Sequence, residues 1–197
     1  MLRIAVFVSG SGSNLQALID AKAAGKIAQG EIALVLSNFP EAYALRRAKN
    51  NNIPIAVVRR QEFSSRNEFE TTIEQILNEY KIDLIVFAGF LAIVSVEFVQ
   101  KYKNKIINVH PSLLPAFGGK GMYGINVHKA VLAQKVETTG ATVHFVNEIT
   151  DGGEILAQLE VPVLPFDTPE ILQKRVLERA EWIILPQVVE RICQERS

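Results

Sequence analysis

Short apolar runs alternate with helix-like segments through the first half of the chain. Apolar runs of roughly four to eight residues are typical of buried strands, whereas an apolar repeat every three or four positions is typical of helices. Short connections between such elements predict a mainly parallel sheet with helices on both faces. The predicted strands cover residues 4–8, 31–37, 53–58 and 83–88, followed by a strand that runs to His110. The predicted helices cover residues 15–22, 41–50 with Pro40 in its first turn, a segment opened by a Ser65/Glu68 capping box, and 95–102.

The second half of the chain has a different pattern. Residues 116–124 are rich in glycine and have no apolar period, whereas residues 125–133 predict a helix. Strands at 140–147 and 155–163 are separated by a turn signal, and a long helix begins at Thr168-Pro169 and is bent or ended near Pro186. The fold class is therefore α/β and Rossmann-like, with a mainly parallel twisted sheet, helices on both faces and a more antiparallel C-terminal part. We expect a single domain over residues 1–197.

Composition narrows the class of protein further. The chain has 197 residues, of which 48% are hydrophobic, enough for one well-filled core. Its formal net charge of +0 gives no overall field to attract a nucleic acid or an anionic membrane, so we expect neither partner. Cys193 is the only cysteine and has no internal disulfide partner. Without a signal-peptide layout or an apolar run of about 18 residues, the sequence predicts a cytoplasmic protein.

The most informative stretch is the strand that ends in Asn108 and His110. Alternate residues of a strand share a face, and the carboxyl edge of a parallel sheet is where such folds bind ligands. An amide there stabilises an oxyanion, and an imidazole with a pKa of about 6.5 exchanges protons at neutral pH. The pair therefore indicates acyl-type transfer without a covalent intermediate, although a satisfied polar pair is the alternative. Ser112 is too close in sequence to indicate a nucleophilic triad, and Asp151 is either a turn residue or a partner of His110.

The glycine-containing loop at residues 9–14 joins the first strand to the first helix. Gly10 and Gly12 fit a dinucleotide fingerprint, but Leu15 stands where its third glycine belongs. The loop therefore suits one phosphate group held by backbone N–H groups and the helix dipole. The alternative is an ordinary strand–helix turn capped by Ser13 or Asn14.

Several other polar residues have plain structural interpretations. His144 lies inside a predicted strand and is interpreted as structural, and His128 as helical and partly exposed. No metal-ligand pattern is recognised, so no metal is expected. Arg66 opposes the dipole at a helix start, and is either solvated or placed to meet an anionic ligand. Glu181 lies on the C-terminal helix, where exposed glutamates are common.

Five segments together resemble the phosphoribosylglycinamide formyltransferases, which perform the first formyl transfer of purine biosynthesis. The resemblance covers essentially the whole chain and is carried by Ser9-Gly-Ser-Gly-Ser-Asn-Leu-Gln16, Ala88-Gly-Phe-Leu91, Asn108-Val-His-Pro-Ser-Leu-Leu-Pro115, Val143-His-Phe-Val146 and Asp151-Gly-Gly153. It implies that the substrates are 5-phosphoribosylglycinamide and, as formyl donor, 10-formyltetrahydrofolate.

The resemblance also implies roles for individual residues. Asn108 would hold the formyl oxygen, His110 would transfer protons and Asp151 would support His110. The nucleotide phosphate would bind at Gly12, Ser13 and Asn14. The folate would lie along Leu91, Ala92, Ile93 and Val94, beside Asn108 and the 148–151 loop, with Arg66 near its anionic tail.

Two departures from the family pattern concern Ala92 and Glu181. Some members have an arginine at the position of Ala92, so the folate contacts that this arginine side chain makes are absent here. Glu181 matches the nucleotide-contacting glutamate of the family when counted back from Pro186, but counting forward from Arg175 shifts the match by one residue.

Two other functions are compatible with the same residues. A formyl-folate hydrolase would use Asn108 and His110 with water as the acceptor. A non-catalytic sugar-phosphate-binding protein would use only the glycine loop. The sequence leaves the oligomeric state open.

Overall fold

A computed structural model describes residues 1–196, and the last residue of the predicted domain, Ser197, lies outside them. All described strands form one sheet with the order β3-β2-β1-β4-β5-β6-β7. The strands are β1 (Leu2–Val8), β2 (Gly30–Ser37), β3 (Ile55–Val57), β4 (Leu84–Phe87), β5 (Ile106–His110), β6 (Thr138–Phe145) and β7 (Ile155–Pro162).

The sheet is parallel from β3 to β5, and β6 and β7 are antiparallel additions to one edge. The predicted Rossmann-like class, with its more antiparallel C-terminal part, is therefore confirmed. The helices are α1 (Ser13–Ala23), α2 (Tyr43–Asn50), α3 (Arg66–Glu79), α4 (Val96–Lys101), α5 (Ile125–Ala133), α6 (Pro169–Val176) and α7 (Trp182–Arg196), with a 3₁₀ turn at Arg60–Glu62 and a π-helical turn at Leu177–Glu181.

The central strands are buried on both faces. Every side chain from Ile4 to Val8 is fully buried, because α-helical layers cover both sides of β1. Alternate residues of β1 enter two separate apolar clusters: Ile4 and Val6 join one, and Ala5 and Phe7 join the other. This double burial explains why the strand has no polar alternation in the sequence.

Helix boundaries follow the predicted signals in two cases and depart from them in two others. The Ser65 hydroxyl accepts a hydrogen bond from the Glu68 N–H, as the capping box predicts. Pro40 lies outside α2, which begins only at Tyr43. Thr168 caps α6 as predicted, but Pro186 does not end the last helix, which continues through it to Arg196. Within residues 1–196, none of the helices is both long and apolar enough to cross a membrane.

Candidate active site

β1 and β4 are neighbours in the sheet. From this pair the chain extends in one direction through β2 and β3 and in the other direction through β5. This reversal of strand order opens a crevice in which α/β proteins bind ligands. Ser9 links the segments there: its hydroxyl donates to Asn38 Oδ1 at 2.6 Å and accepts from the Leu91 N–H at 2.8 Å. The sequence gives Ser9 no individual role, because nothing in the chain order indicates that three strand ends meet at one hydroxyl.

The segment from Ser9 to Asn14, hereafter the anion loop, leaves the start of α1 without a side-chain cap. Its N-cap residue is Gly12, with a left-handed φ of 70°, and no side chain caps the first turn. A Cβ at Gly12 would lie 2.5 Å from Ala44 Cβ, so glycine is required for the approach of α2. The alternative of a turn capped by Ser13 or Asn14 is therefore wrong. The first N–H groups of α1, which have no intrahelical acceptor, are available for an anion.

Asn14 is buried and contacts the other end of the chain. Its Nδ2 donates to Glu181 Oε2 at 2.6 Å, whereas its Oδ1 has no partner among the described residues. Burial raises the pKa of Glu181 to about 7, although the hydrogen bond from Asn14 lowers it. Glu181 is thus not the exposed helical glutamate that the sequence suggested, but a buried group facing the anion loop.

The π-helical turn at Leu177–Glu181 explains the two conflicting counts of Glu181 in the sequence. Residues five apart in an α-helix lie about 140° apart around its axis, so Glu181 would turn away from the buried Val176. A π-helical turn takes up an extra residue through i→i+5 bonds, which keeps the two residues on one face. The π-helical turn adds one residue between Arg175 and Pro186, so positions counted from these two residues differ by one. Glu181 nevertheless reaches Asn14.

Four polar side chains meet at the ends of β5 and β6, and we name this group the polar corner: Asn108, His110, His144 and Asp151. Asn108 is paired with His144 across the two strands, with Asn108 Nδ2 3.2 Å from His144 Nε2. Burial lowers the pKa of His144, so its ring is neutral at pH 7. His144 Nδ1 donates to the Phe145 carbonyl at 2.8 Å, which leaves Nε2 to accept from Asn108. An amide nitrogen has two N–H groups, so the second one remains to donate to a ligand.

His110 is buried beside Asp151. The distance from His110 Nδ1 to Asp151 Oδ2 is 3.6 Å, and Asp151 Oδ1 lies 3.7 Å from His144 Nε2. Asp151 has a positive φ of 55° and accepts from the Gly119 N–H at 2.8 Å. The carboxylate therefore lies between the two histidines and is held by a loop that the sequence did not link to it.

His144 is buried and hydrogen-bonded inside β6, as the sequence predicted, and it also contacts Asn108 in the polar corner. The position of His128 corrects a sequence interpretation. His128 is fully buried instead of partly exposed, and neither of its ring nitrogens has a hydrogen-bond partner among the described residues. Burial and the nearby His110 lower the pKa of His128 to about 4, so the ring is neutral at pH 7.

The segment after β4 presents apolar side chains beside the crevice. Leu91 and Ile93 are exposed, whereas Ala92 and Val94 pack on the second apolar cluster. Exposed Ile149 lies in the loop that carries Asp151. Such surface suits a flat ring system that must lie next to polar groups.

Arg66 is exposed at the start of α3 and makes no hydrogen bond or ion pair with another of residues 1–196. One turn further along α3, Glu70 binds the N–H and hydroxyl of Ser95. Arg66 therefore lies at the same end of α3 as the segment after β4, but does not join the polar corner. Within residues 1–196, no group of three or more acidic, histidine or cysteine side chains has the arrangement of a metal site.

The fold and the residues at this edge match a known family. A model of the formyl transferase family, described as "Formyl transferase", matches residues 2–189. The chain therefore belongs to the formyl transferase family.

The chain is similar to particular members of the family over essentially its own whole length. A phosphoribosylglycinamide formyltransferase from Haemophilus influenzae is 41% identical over 196 residues, covering 100% of this chain and 89% of the relative. A chloroplastic phosphoribosylglycinamide formyltransferase from Vigna unguiculata is 40% identical over 98% of this chain, which spans only 62% of the plant protein. The structure of a phosphoribosylglycinamide formyltransferase from Coxiella burnetii superposes with a TM-score of 0.91 at 39% identity, covering 99% of this chain and 88% of that one.

Proposed function

We propose that this protein transfers a formyl group from 10-formyltetrahydrofolate to the amine of 5-phosphoribosylglycinamide. One observation carries the proposal: a free amide N–H of Asn108 and the Nδ1 of His110 lie at the same sheet edge as an uncapped helix start. A one-carbon unit at the polar corner and a phosphate at the anion loop would occupy the two ends of one crevice. The named relatives support the choice of substrates.

The anion loop holds the phosphate of the nucleotide. Backbone N–H groups at Gly12, Ser13 and Asn14 would donate to the phosphate, and the helix dipole favours its negative charge. Asn14 Oδ1 is buried without a partner, so a ligand hydroxyl that donates to it removes the cost of an unsatisfied acceptor. Glu181 Oε2 fixes the orientation of this amide, and its carboxyl is the second acceptor for such a hydroxyl.

The formyl donor supplies an activated one-carbon unit on a nitrogen leaving group, and its pteridine ring fits the exposed apolar surface of Leu91 and Ile93. Ala92 and Val94 support that surface from below, and Arg66 lies at the neighbouring helix start for the anionic tail. Because Ala92 has no polar side chain, the pteridine ring contacts this surface through packing alone. No metal takes part in the proposed mechanism.

Asn108 stabilises the negative charge that develops on the formyl oxygen. The amine of the nucleotide adds directly to the formyl carbon, and the second N–H of Asn108 donates to the oxygen as it becomes an oxyanion. His144 holds the other N–H, so the amide is oriented before the reaction and does not need to rotate.

His110 accepts the proton that the attacking amine loses and then donates it to the leaving nitrogen. Asp151, at 3.6 Å, stabilises the imidazolium that exists between these two transfers. Because the amine attacks directly, Ser112 is not needed as a nucleophile.

An omission assay tests this function. Purified protein is supplied with both substrates, then with each alone, while the deformylated folate is followed by absorbance. Formyl transfer predicts product only when the ribonucleotide is present. Consumption of the donor at the same rate without the ribonucleotide would instead indicate the hydrolase.

The anion loop argues against the hydrolase, because water as acceptor needs no phosphate site. Binding of the ribonucleotide without turnover would indicate a sugar-phosphate-binding protein.

As further parts of the proposal, we place the reaction in one domain over residues 1–197 of a cytoplasmic enzyme with small-molecule partners and no nucleic-acid partner.

A further inference from the structure

We propose that Ser112 and residues 116–119 form a positioning device that fixes the tautomer of His110 and makes Nδ1 the atom that exchanges the proton. This inference rests on the proposed function, because formyl transfer to an amine requires a proton acceptor at the polar corner. Ser112 follows His110 closely in the sequence and has no role in the proposed transfer of the formyl group.

The first step concerns the nitrogen of His110 that carries the hydrogen. His110 Nε2 lies 2.9 Å from the backbone carbonyl oxygen of Phe117. A carbonyl oxygen only accepts hydrogen bonds, so Nε2 is the protonated nitrogen of the neutral ring. The lone pair is then on Nδ1.

The second step concerns the direction of that lone pair. Nδ1 lies on the side of Asp151, whose other oxygen is near His144, the partner of Asn108. The base His110 and the oxyanion donor Asn108 are therefore linked through Asp151 and His144. If His110 acted through Nε2, its bond to Phe117 would have to break inside the protein before each turnover.

The proton balance is complete with this assignment. The Nδ1 lone pair of His110 takes a proton from the attacking nitrogen, and the N–H electron pair stays on that nitrogen. Nδ1–H then gives the same proton to the leaving nitrogen as the bond from that nitrogen to the formyl carbon breaks. The ring returns to the Nε2–H form, and Asp151 neither takes up nor releases a proton in these two transfers.

The third step concerns what holds the Phe117 carbonyl in place. Phe117 has a positive φ of 55°, a conformation that a non-glycine residue adopts only when its surroundings impose it. The fully buried Ser112 donates to the Ala116 carbonyl at 2.6 Å and lies 3.5 Å from Phe117 O. Two residues further on, Gly119 N–H binds Asp151. One short segment therefore carries both the carbonyl for His110 and the N–H for Asp151, and so sets their spacing.

The tautomer is measurable without substrates. Protein with ¹⁵N-labelled imidazoles is examined by NMR above pH 8, with the His110 signals assigned by comparison with a His110→Gln variant. The inference predicts a single Nε2–H tautomer for His110. An Nδ1–H tautomer, or rapid exchange between both forms, would overturn it.

Ser112→Ala tests the role of the hydroxyl. We expect the tautomer signal to become a mixture and kcat to fall about tenfold, a fraction of what a general base contributes, while both KM values change less than about threefold. Ser112→Thr retains the hydroxyl and is expected to restore the single tautomer. Thr168→Ala, which removes the cap of α6 and no hydrogen bond to His110, is the control: it should lose thermal stability but keep both the tautomer and kcat.

The outcomes separate this inference from the proposed function. A loss of kcat in Ser112→Ala with an unchanged Nε2–H tautomer would make the role of Ser112 merely structural and overturn the inference. If the omission assay shows no formyl transfer but the single Nε2–H tautomer is found, the function fails while the positioning device remains. Should Ser112→Ala not fold, the tautomer of the wild-type protein still decides.

Discussion

The anion loop and the polar corner lie at the same sheet edge but are built by different means. In the proposed mechanism, the anion loop binds the phosphate through backbone N–H groups of contiguous residues, and Gly12 allows the conformation. The polar corner depends on side chains that β5, β6 and a distant loop bring together. A backbone site tolerates side-chain changes that preserve its conformation, whereas a side-chain site is lost with a single group. The two ends should therefore respond to substitution differently, one mainly in nucleotide binding and the other mainly in turnover.

Truncation in the polar corner should have the largest effect. We expect Asn108→Ala and His110→Ala each to lower kcat by about 10²–10³-fold, because each removes a group that acts on charge formed during the reaction. Steady-state kinetics with both substrates should show KM values within about threefold of wild type. Asn126→Ala, an exposed asparagine on α5, serves as a control with normal kcat. A His110→Ala protein with near wild-type turnover would contradict the mechanism.

Glu181 adds one buried side chain to the anion end, and its cost should appear in stability. Burial raises its pKa from 4.5 to about 7, so the stability contributed by its neutral form is fully present below about pH 4.5 and is lost as the pH rises through about 7. Glu181→Gln removes this dependence on pH. The unfolding free energy of the variant should therefore exceed that of the wild-type protein by an amount that grows across that window to on the order of 3 kcal/mol. Urea unfolding between pH 4.5 and 8 measures the difference. Glu178→Gln, an exposed neighbour, should show no such trend.

Gly12 and Gly10 give a matched pair within the anion loop. Gly12→Ala should raise the Kd for the ribonucleotide about tenfold, because its Cβ would meet Ala44 at 2.5 Å and its φ is positive. Gly10→Ala meets nothing within 4 Å and should bind the nucleotide normally. Calorimetric titration with the ribonucleotide checks both variants, and Ala44→Gly should partly rescue Gly12→Ala. Equal affinity in the two single variants would mean that the backbone at Gly12 does not form the site.

The same contrast decides what the sequence could predict. The parallel sheet and the anion loop follow from local patterns: apolar runs, a helical period, and glycines between a strand and a helix. Asn108 and His110 share a face because they are two apart on one strand, which is also local. The sequence thus places the groups that come from single elements.

Contacts between distant segments could not be predicted in this way. His144 faces Asn108 only because β6 pairs antiparallel with β5 in one register, and a shift of one residue would place it on the other face. His128 reads as partly exposed because a helical period does not reveal which face another element covers. Glu181 depends on a π-helical turn, for which the chain has no local signal comparable to a cap or a proline.

A pair of deletions tests whether the π-helical turn serves to place Glu181 and should give the smallest effect. Deleting exposed Arg179 leaves Glu181 four residues after Val176, about 40° away in a regular α-helix. The helix can then wind normally with the Asn14 contact intact, so ribonucleotide affinity should stay within about twofold of wild type. Deleting exposed Ile183 instead removes a residue after Glu181. The end of α7 can then keep its packing only if the π-helical turn becomes regular α-helix. Glu181 would in that case lie about 140° from Val176. That variant should fold but bind the ribonucleotide about fivefold more weakly, because the hydrogen bond that holds the Asn14 amide is lost. Equal affinities after the two deletions, measured by calorimetry, would show that the turn has no part in positioning Glu181.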